Sequence, residues 1–315
     1  MKIFTYLNKW YFQAALLLLV VVVLAFLPLY APGYPVVLFA IIIMFVILAV
    51  SWAIFSGSTG YISLATAAFF GVGVYTTAML GKVLPLPLVV LVGGVLSTCL
   101  AAITGAITLR LRGVYFTIFT FGLLALMQTF ILWWEININH VRGRMVILVD
   151  NTTIFYYVLG IFVLLMITAY LIRRSKYGLA LQSIGLDEEA TAHTGINVTL
   201  LKIITFSGSA FFMGAAGAIM SARVSYIDPY IAFNTNYSFF PVLMALFGGA
   251  GNLYGPVIGA VIFAYLEETL LTKFPYYYML VFGLVLVIAI SFMPKGVIGL
   301  IESIRHRRRR DVVKG

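Results

Sequence analysis

The sequence predicts an all-α polytopic membrane protein of about ten transmembrane helices, with its N-terminus and C-terminus in the cytoplasm. Of its 315 residues, 63% are hydrophobic and 10% are charged, whereas soluble domains carry about 45–50% apolar and about 25% charged residues. Seven stretches of roughly bilayer length contain no Lys, Arg, Asp, Glu or His. In the ten-helix arrangement, fifteen of the 20 Lys and Arg residues fall on the cytoplasmic side, which follows the positive-inside tendency.

The lengths of the charge-free stretches define the spans. A spanning helix needs about 20 residues, so the stretch 10–81 accommodates three spans and the stretch 229–266 two shorter ones. Turn-forming residues at 28–35, 56–60 and 248–252 mark the expected breaks. The first span is expected to be a retained helix, because its apolar core is longer than that of a signal peptide. We therefore predict one transmembrane domain, 1–315, with spans at 11–29, 35–55, 62–80, 86–108, 114–132, 154–172, 203–222, 237–250, 257–272 and 276–293.

Two polar segments outside the spans have simple expected roles. Residues 133–153 form the main external loop, which is either a solvated connector or a docking surface for an extracytoplasmic partner. The tail 303–315 is strongly basic and follows the last span, so we expect it to anchor the chain at anionic membrane lipid. The net charge of +10 thus reports membrane orientation, and no nucleic-acid partner is expected.

The cytoplasmic loop 173–202 contains the signals of a short helix. Asp187 is suited to cap its N-terminus, Glu188 and Glu189 place negative charge in its first turn, and Gly195 fits a left-handed position just beyond its end. A helix at 187–194 is too short to be stable alone in water, so it needs a partner surface. Such a helix, tethered between two spans, suits the transmission of motion from a cytoplasmic subunit.

The residue inventory argues against several functions. The spans are almost free of ionisable residues, which a transporter driven by an ion gradient needs. The sequence has no potassium-channel filter motif and no G-x-x-x-x-G-K-S/T phosphate loop, and its three His residues lie outside the spans. We therefore predict a non-catalytic protein without a metal site, which moves a neutral or zwitterionic solute with energy from other subunits. The candidates for lining its path, with helix packing as their alternative role, are Ser63, Phe69, Tyr75, Thr117, Thr120 and Gln128.

Four sequence blocks carry a resemblance to a known family. They are GYISLATAAFFGVGVYT at 60–76, LRGVYFTI at 111–118, GGAGNLYGPVIGA at 248–260 and MPKGVIGL at 293–300. In this order, over about residues 35–300, they resemble the permease subunits of high-affinity branched-chain amino acid ABC transporters. The block Arg112-Gly113-x-Tyr115-Phe116 and the ending Pro294-x-Gly296 look like the M-type subunit, one of two unlike permeases in these importers.

The resemblance implies a permease subunit in a bacterial or archaeal cytoplasmic (inner) membrane. Its implied partners are a sister permease, two ATPase subunits and an extracytoplasmic substrate-binding protein. The implied substrates are leucine, isoleucine and valine, and the partner ATPase subunits bind ATP and Mg while this chain binds no cofactor. Importers of urea, short amides or other amino acids have closely similar permeases and remain alternatives, and a secondary transporter is a more distant one.

The resemblance also implies which residues couple the permease to its ATPase. Binding-protein-dependent permeases carry a cytoplasmic Glu-Ala-Ala-x-x-x-Gly signature, to which Glu189, Ala190 and Gly195 correspond, whereas Thr191 departs from it. The expected coupling residues are Gly178, Asp187, Glu188, Glu189, Ala190 and Gly195. A structural role is expected for the glycines and the proline of the third block, Gly248, Gly249, Gly251, Gly255, Pro256 and Gly259.

Overall fold

A computed structural model describes residues 19–31, 33–111 and 113–277, together with the positions 280, 281, 283, 284, 296 and 299. Several predictions fall on the rest of the chain. The start of the first predicted span, Arg112, most of the tenth predicted span and the basic tail 303–315 lie outside the described residues. The part of the chain that is described is mostly helical.

Helices α1 to α6 occupy the first half of the chain and helices α7 to α12 the second. In the first half, α1 is Leu19–Tyr30, α2 is Tyr34–Trp52 with a π-helical turn at Ala53–Gly57, α3 is Thr66–Leu80, α4 is Leu86–Thr108, α5 is Val114–Trp134 with a π-helical turn at Glu135–Asn139, and α6 is Asn151–Arg174. In the second half, α7 is Lys176–Leu186, α8 is Glu188–His193, α9 is Val198–Ser221, α10 is Pro229–Ala232, α11 is Asn236–Gly248 and α12 is Gly255–Lys273. Two short strands, β1 (Arg144–Met145) and β2 (Tyr226–Ile227), pair antiparallel.

Six described helices are long and apolar enough to cross a membrane, which makes the chain polytopic but does not confirm ten spans. The third predicted span yields only the 15 residues of α3, because its first residues are not helical. The eighth yields only the 13 residues of α11, which rise about 20 Å and fall short of the roughly 30 Å hydrocarbon core. The six are Tyr34–Gly57, Leu86–Thr108, Val114–Asn139, Asn151–Arg174, Val198–Ser221 and Gly255–Lys273.

Helix α9 lies at the centre of the bundle, where small residues allow close packing. A side chain at Gly73 of α3 would collide with the backbone carbonyl of Gly214 in α9, so only glycine permits this approach. Hydroxyl groups add bonds between helices: Thr77 Oγ1 donates to Ala218 O at 2.7 Å, and Ser97 Oγ donates to Phe69 O at 2.8 Å. Small-residue packing with hydroxyl bonds is how apolar helices associate where burial in lipid offers no gain.

The segment expected to be an external loop, 133–153, is partly helical. Helix α5 and its π-helical turn extend to Asn139, and β1 follows after a short connection. Glu135 is fully buried in this turn: its Oε2 accepts a hydrogen bond from Gly143 N at 2.9 Å, and Arg144 Nε lies 3.7 Å from its Oε1, within ion-pair distance but beyond a hydrogen bond. A buried carboxylate needs such partners, so the chain folds back over the end of α5.

The segment expected to be a long cytoplasmic loop, 173–202, runs from the last two residues of α6 through α7 and α8 to the first five residues of α9. The prediction of a short helix at 187–194 is confirmed by α8. Asp187 Oδ1 caps it by accepting from Ala190 N at 3.0 Å, and Gly195 has the expected left-handed backbone with φ of 84°. Helix α9 has 24 residues and is therefore about 36 Å long. It separates the α8 end of the molecule from the β end, where β1 and β2 pair.

Candidate functional site around a broken helix

The helix that begins as α2 is interrupted before α3 by a non-helical segment, 60–65, which we call the broken segment. It begins at Gly60, whose φ of 75° turns the chain out of the helix. Tyr61, Ser63 and Ala65 within it are buried. Non-helical backbone inside a membrane protein must find partners within the protein for its N–H and C=O groups.

Helix α5 supplies two of these partners. Thr117 Oγ1 donates to Ile62 O at 2.9 Å, and Leu64 N donates to Thr120 Oγ1 at 3.0 Å. Thr120 is 1% exposed, so its hydroxyl is committed to the backbone. The two threonines are three residues apart and therefore share one face of the helix, and that face contacts the broken segment.

Helices α2 and α11 supply the other partners. Trp52 Nε1 donates to Ser63 O at 2.8 Å. Ser238, with no exposed surface, bridges the end of the break: its Oγ donates to Leu64 O at 2.7 Å and accepts from Ala67 N at 3.1 Å. Side chains from three helices thus replace the missing helical hydrogen bonds of the broken segment.

The structure brings three of the six candidate path residues together and separates the others. Ser63, Thr117 and Thr120 meet at the broken segment, where the hydroxyls of Thr117 and Thr120 bond its backbone. Phe69 packs its ring 5.4 Å from that of Phe206, and Tyr75 stacks 5.8 Å from Phe233, so both fill the core. Gln128 is half-buried on α5, eight residues and thus about 12 Å beyond Thr120.

A buried lysine ties α8 to the broken segment. Lys202, in the first turns of α9, is 2% exposed. Its Nζ lies 2.8 Å from Glu188 Oε1, 3.1 Å from Leu109 O and 3.2 Å from Tyr61 Oη. The ammonium group has three donors and all three are used, which offsets the cost of removing its charge from water. We call Tyr61, Glu188 and Lys202 the coupling triad.

The third side of the triad is the bond between Tyr61 and Glu188, because Tyr61 Oη donates to Glu188 Oε2 at 2.5 Å. The Lys202 ammonium also lies 4.5 Å from the centre of the Tyr61 ring, in cation–π range. The first residue of α8 is therefore bonded directly to the second residue of the broken segment. Sequence reasoning had found Glu188 but missed Lys202 and Tyr61, since a lysine at the start of an apolar run also indicates an ordinary interface charge.

A cavity of about 410 Å³ lies at the α8 end between the broken helix, α7 and the loop before α12. Glycines set its walls: a side chain at Gly185 of α7 would collide with the carbonyl of Ser58, and one at Gly57 with the carbonyl of Ala250. Arg173 Nη2 donates to Gly251 O at 2.6 Å and closes the loop side. Burial raises the pKa of the Tyr254 phenol in this loop, so the phenol stays protonated.

The glycines and the proline of the third sequence block lie at the end of α11, in the connection to α12 and in the first turns of α12. A side chain at Gly248 or at Gly259 would collide with the backbone of the facing helix, where α11 meets α12. Gly249 ends α11 with φ of 106°. Pro256 lies in the first turn of α12, next to Gly255, where a side chain would collide with the carbonyl of Gly249. Gly251 has open space around it.

Four of the five remaining coupling candidates lie on the outer surface of α8 and the residues that flank it. Asp187, Glu189, Ala190 and Gly195 are exposed, whereas Gly178 is buried where a side chain would collide with Ile172 O. A groove of about 300 Å³ runs along this surface between Leu186, Ala190 and Ile196. Among the described residues, no group of three or more His, Cys, Asp and Glu is arranged to hold a metal ion.

The described residues thus form a bundle of apolar helices with a hydrogen-bonded break, which a buried lysine joins to a short exposed helix. The family described as "Branched-chain amino acid transport system / permease component" matches residues 34–290, and the chain belongs to it. It is thus a multi-pass permease subunit of the ATP-binding-cassette type.

The relatives transport different solutes. The chain is 28% identical over 238 residues to the ribose import permease protein RbsC of Haemophilus influenzae, which covers 69% of this chain and 72% of the relative. It is 25% identical over 294 residues to the high-affinity branched-chain amino acid transport system permease protein LivM of Salmonella typhimurium. This match covers 81% of this chain and 68% of the relative. The xylose transport system permease protein XylH of Haemophilus influenzae is 32% identical over 132 residues, which are 41% of this chain and 35% of the relative. No solved structure matches the chain.

Proposed function

We propose that this chain is one of two unlike permease subunits of an importer for leucine, isoleucine and valine in a bacterial or archaeal inner membrane. A substrate-binding protein delivers the amino acid outside, and two ATPase subunits bind ATP and Mg inside. The coupling triad carries the proposal, because it joins an exposed short helix to a break in the bundle through a buried ion pair. The similarity to LivM across 81% of this chain supports the substrate.

The α7–α8 surface is the docking surface for the ATPase in this proposal. Its coupling residues are Gly178, Asp187, Glu188, Glu189, Ala190 and Gly195. Glu189 and Ala190 face outward on α8, and the neighbouring Leu186 is 90% exposed. An apolar side chain so exposed, beside a groove and negative charge, suits a protein partner. This arrangement puts the α8 end in the cytoplasm, together with both termini.

Motion of α8 reaches the transport path through the triad. When the ATPase subunits close, α8 moves, and Tyr61 moves with Glu188 because the two are bonded. The broken segment responds because side-chain hydrogen bonds hold it instead of a helical ladder, and each such bond contributes only about 1 kcal/mol. The bundle then alternates between two states whose populations ATP shifts.

The path itself lies along α5 in this proposal. Helix α5 has a large exposed apolar face, which includes Tyr115, Ile118 and Phe121, and the sister permease covers it. Thr117 and Gln128 line the path from this chain, the buried Ser63 and Thr120 hold its wall at the broken segment, and Phe69 and Tyr75 support it from the core behind.

A pentose importer is the second candidate function. The similarity to RbsC of Haemophilus influenzae extends over 69% of this chain and favours it specifically. A permease contacts its solute briefly and leaves much of the selection to the binding protein, so both solutes suit one bundle.

Uptake by the reconstituted complex tests both candidate functions. The complex purified through a tag on this chain is placed in vesicles with ATP inside, and uptake of labelled leucine is measured against excess isoleucine, ribose and urea. We expect ATP-dependent uptake that isoleucine inhibits and that ribose and urea leave unchanged. Inhibition by ribose alone would support the pentose importer, and uptake driven by an ion gradient without ATP would contradict both functions.

A further inference from the structure

A second cavity, of about 300 Å³, lies toward the β end of the molecule among α2, α3, the end of α9, α11 and α12. Arg223, which lines it, follows α9 by two residues. The cavity is therefore about one helix length, roughly 36 Å, from α8. Its volume is at the small end of the range for ligand pockets, which suits a small solute.

A guanidinium and a carboxyl side chain, which can carry opposite charges, line this cavity. Arg223 and Glu267 are both half-buried. Within the described chain, neither side chain forms a salt bridge or a hydrogen bond with another residue. Both line the same cavity as Tyr237 of α11, whose ring lies 6.3 Å from that of Phe45 in α2 and 4.4 Å from that of Phe70 in α3. Partly buried charges of opposite sign that do not pair with each other are costly unless a ligand or water neutralises them.

The remaining wall combines amides with an apolar lining. Asn234 and Asn236 add polar groups beside the charges. The ring of Phe70 lies 4.4 Å from that of Tyr237 and forms part of the floor. The aliphatic and thioether side chains that complete the lining include Ile41, Met44, Val74, Met220 and Ile227.

We infer that this cavity binds a free α-amino acid with an aliphatic side chain. The carboxylate binds the Arg223 guanidinium, whose planar fork matches two carboxylate oxygens. The ammonium group binds the Glu267 carboxylate, and the side chain lies against the aliphatic wall. A sugar would satisfy hydrogen bonds but leave both charges without a counter-charge, so the zwitterion is the better match. The inference rests on the proposed function and adds a transient substrate site at the β end, separate from the residues proposed to line the path along α5.

The neighbouring glutamate offers a matched control. Glu268 is adjacent to Glu267 on α12, but its Oε1 accepts a hydrogen bond from Tyr34 Oη at 3.0 Å and it does not line the cavity. Glu267→Gln and Glu268→Gln therefore remove the same charge from the same helix, and only the first removes it from the cavity.

The test measures equilibrium binding of labelled leucine to the complex purified through this chain, without ATP and without the substrate-binding protein. Unlabelled leucine, leucinamide, 4-methylpentanoate and ribose compete. Leucinamide lacks the carboxylate and 4-methylpentanoate lacks the ammonium group. A charged hydrogen bond is worth about 1.5–3 kcal/mol, so we expect each analogue to compete about ten- to hundredfold more weakly than leucine, and ribose not at all.

The variants then assign each group. In R223Q, leucine and leucinamide should compete equally, because the group that binds the carboxylate is gone. In E267Q, leucine and 4-methylpentanoate should compete equally, because the group that binds the ammonium is gone. In E268Q, leucine should still compete more strongly than either analogue, as in the wild type. If a glutamine variant does not assemble, Arg223→Lys and Glu267→Asp keep the charges and should retain the wild-type order with weaker binding. A wild-type protein that does not distinguish the three ligands overturns the inference, whatever the variants do.

The outcomes separate this site from the proposed function. If ATP-driven leucine uptake is normal in vesicles but the complex shows no saturable leucine binding, the site is wrong and the importer stands. If leucine binds with the expected order but is not taken up, the site stands and the proposed function fails. Competition by ribose that is lost in R223Q and E267Q would overturn the assignment to amino acids.

Discussion

Lys202 and Glu188 form a buried ion pair, with Nζ 2.8 Å from Oε1, although the two residues belong to different helices. The Lys202 side chain is 2% exposed and that of Glu188 is 21% exposed. Because Tyr61 bonds to both, α8 cannot leave its position without either moving the broken segment or separating two charges in a poorly solvated place. Separation is costly in such a place, so joint movement is the favoured route.

Replacing the lysine should destabilise the protein more than replacing both charged partners. Lys202→Met leaves Glu188 partly buried without its cation, and we expect the free energy of unfolding to fall by about 3 kcal/mol. The double variant K202M/E188Q should recover part of this loss. Thermal unfolding of the four proteins in detergent, read as a double-mutant cycle, measures the coupling. If K202M and K202M/E188Q lose the same free energy of unfolding, the predicted coupling between Lys202 and Glu188 is contradicted. Lys176→Met, at an exposed position, serves as the control.

Removing one hydroxyl should weaken coupling while leaving the core intact. Tyr61→Phe keeps the ring packing against Phe116, 5.5 Å away, but removes the oxygen that bonds Glu188 and Lys202. We expect ATP hydrolysis to continue with fewer leucine molecules transported per ATP, and a stability loss of about 1–2 kcal/mol. Simultaneous assays of hydrolysis and uptake in vesicles measure this ratio. The exposed Tyr177→Phe should leave it unchanged, and a normal ratio in Y61F would remove Tyr61 from the coupling route.

The serine that bridges the break should be important for stability. Ser238→Ala leaves Leu64 O and Ala67 N without their side-chain partner in a fully buried place. Unsatisfied buried groups cost about 1–3 kcal/mol, so we expect the variant to unfold at a lower temperature by several degrees. Ser183→Ala, at an exposed position on α7, is the control. If both variants unfold alike, the broken segment does not depend on this bond.

The end of α8 should tolerate asparagine and reject valine. Gly195 has φ of 84° and no atoms near the place of a side chain, so a substitution there meets backbone strain without a collision. Asparagine accepts this backbone, whereas a β-branched residue does not. Gly195→Val should reduce co-purification of the ATPase with the tagged chain, and Gly195→Asn should retain it. Gly251→Ala, in open space without the positive φ, is a second control. Full co-purification with G195V would separate this turn from ATPase docking.

Local signals in the sequence predicted part of the candidate site. The α8 helix was predictable from Asp187 and Gly195, because capping and left-handed glycine act between residues close in the chain. The coupling triad was not, since Tyr61 and Lys202 are 141 residues apart in sequence and no local pattern relates them. Thr117 and Thr120 were selected for being polar in an apolar span. They do lie together, but their hydroxyls bond the backbone of the break.

The number of spans shows the same limit. Hydropathy predicts how much apolar chain is available, and it correctly indicated a polytopic fold. It did not indicate that residues 60–65 are not helical, which leaves α3 with 15 residues. Hydropathy does not detect a non-helical segment whose backbone is bonded by side chains from other helices.

The order of synthesis gives the buried lysine a further consequence. All three groups that bind its ammonium belong to residues 61, 109 and 188, which the ribosome makes before residue 202. When α9 emerges, the groups that neutralise its single charge are already made, as are α3 and α4, against which it packs. A chain built in the reverse order would have to hold an unpaired ammonium at the membrane boundary until its partners arrived. Because of this chain order, α9 joins the bundle after every group that binds its lysine has been synthesised.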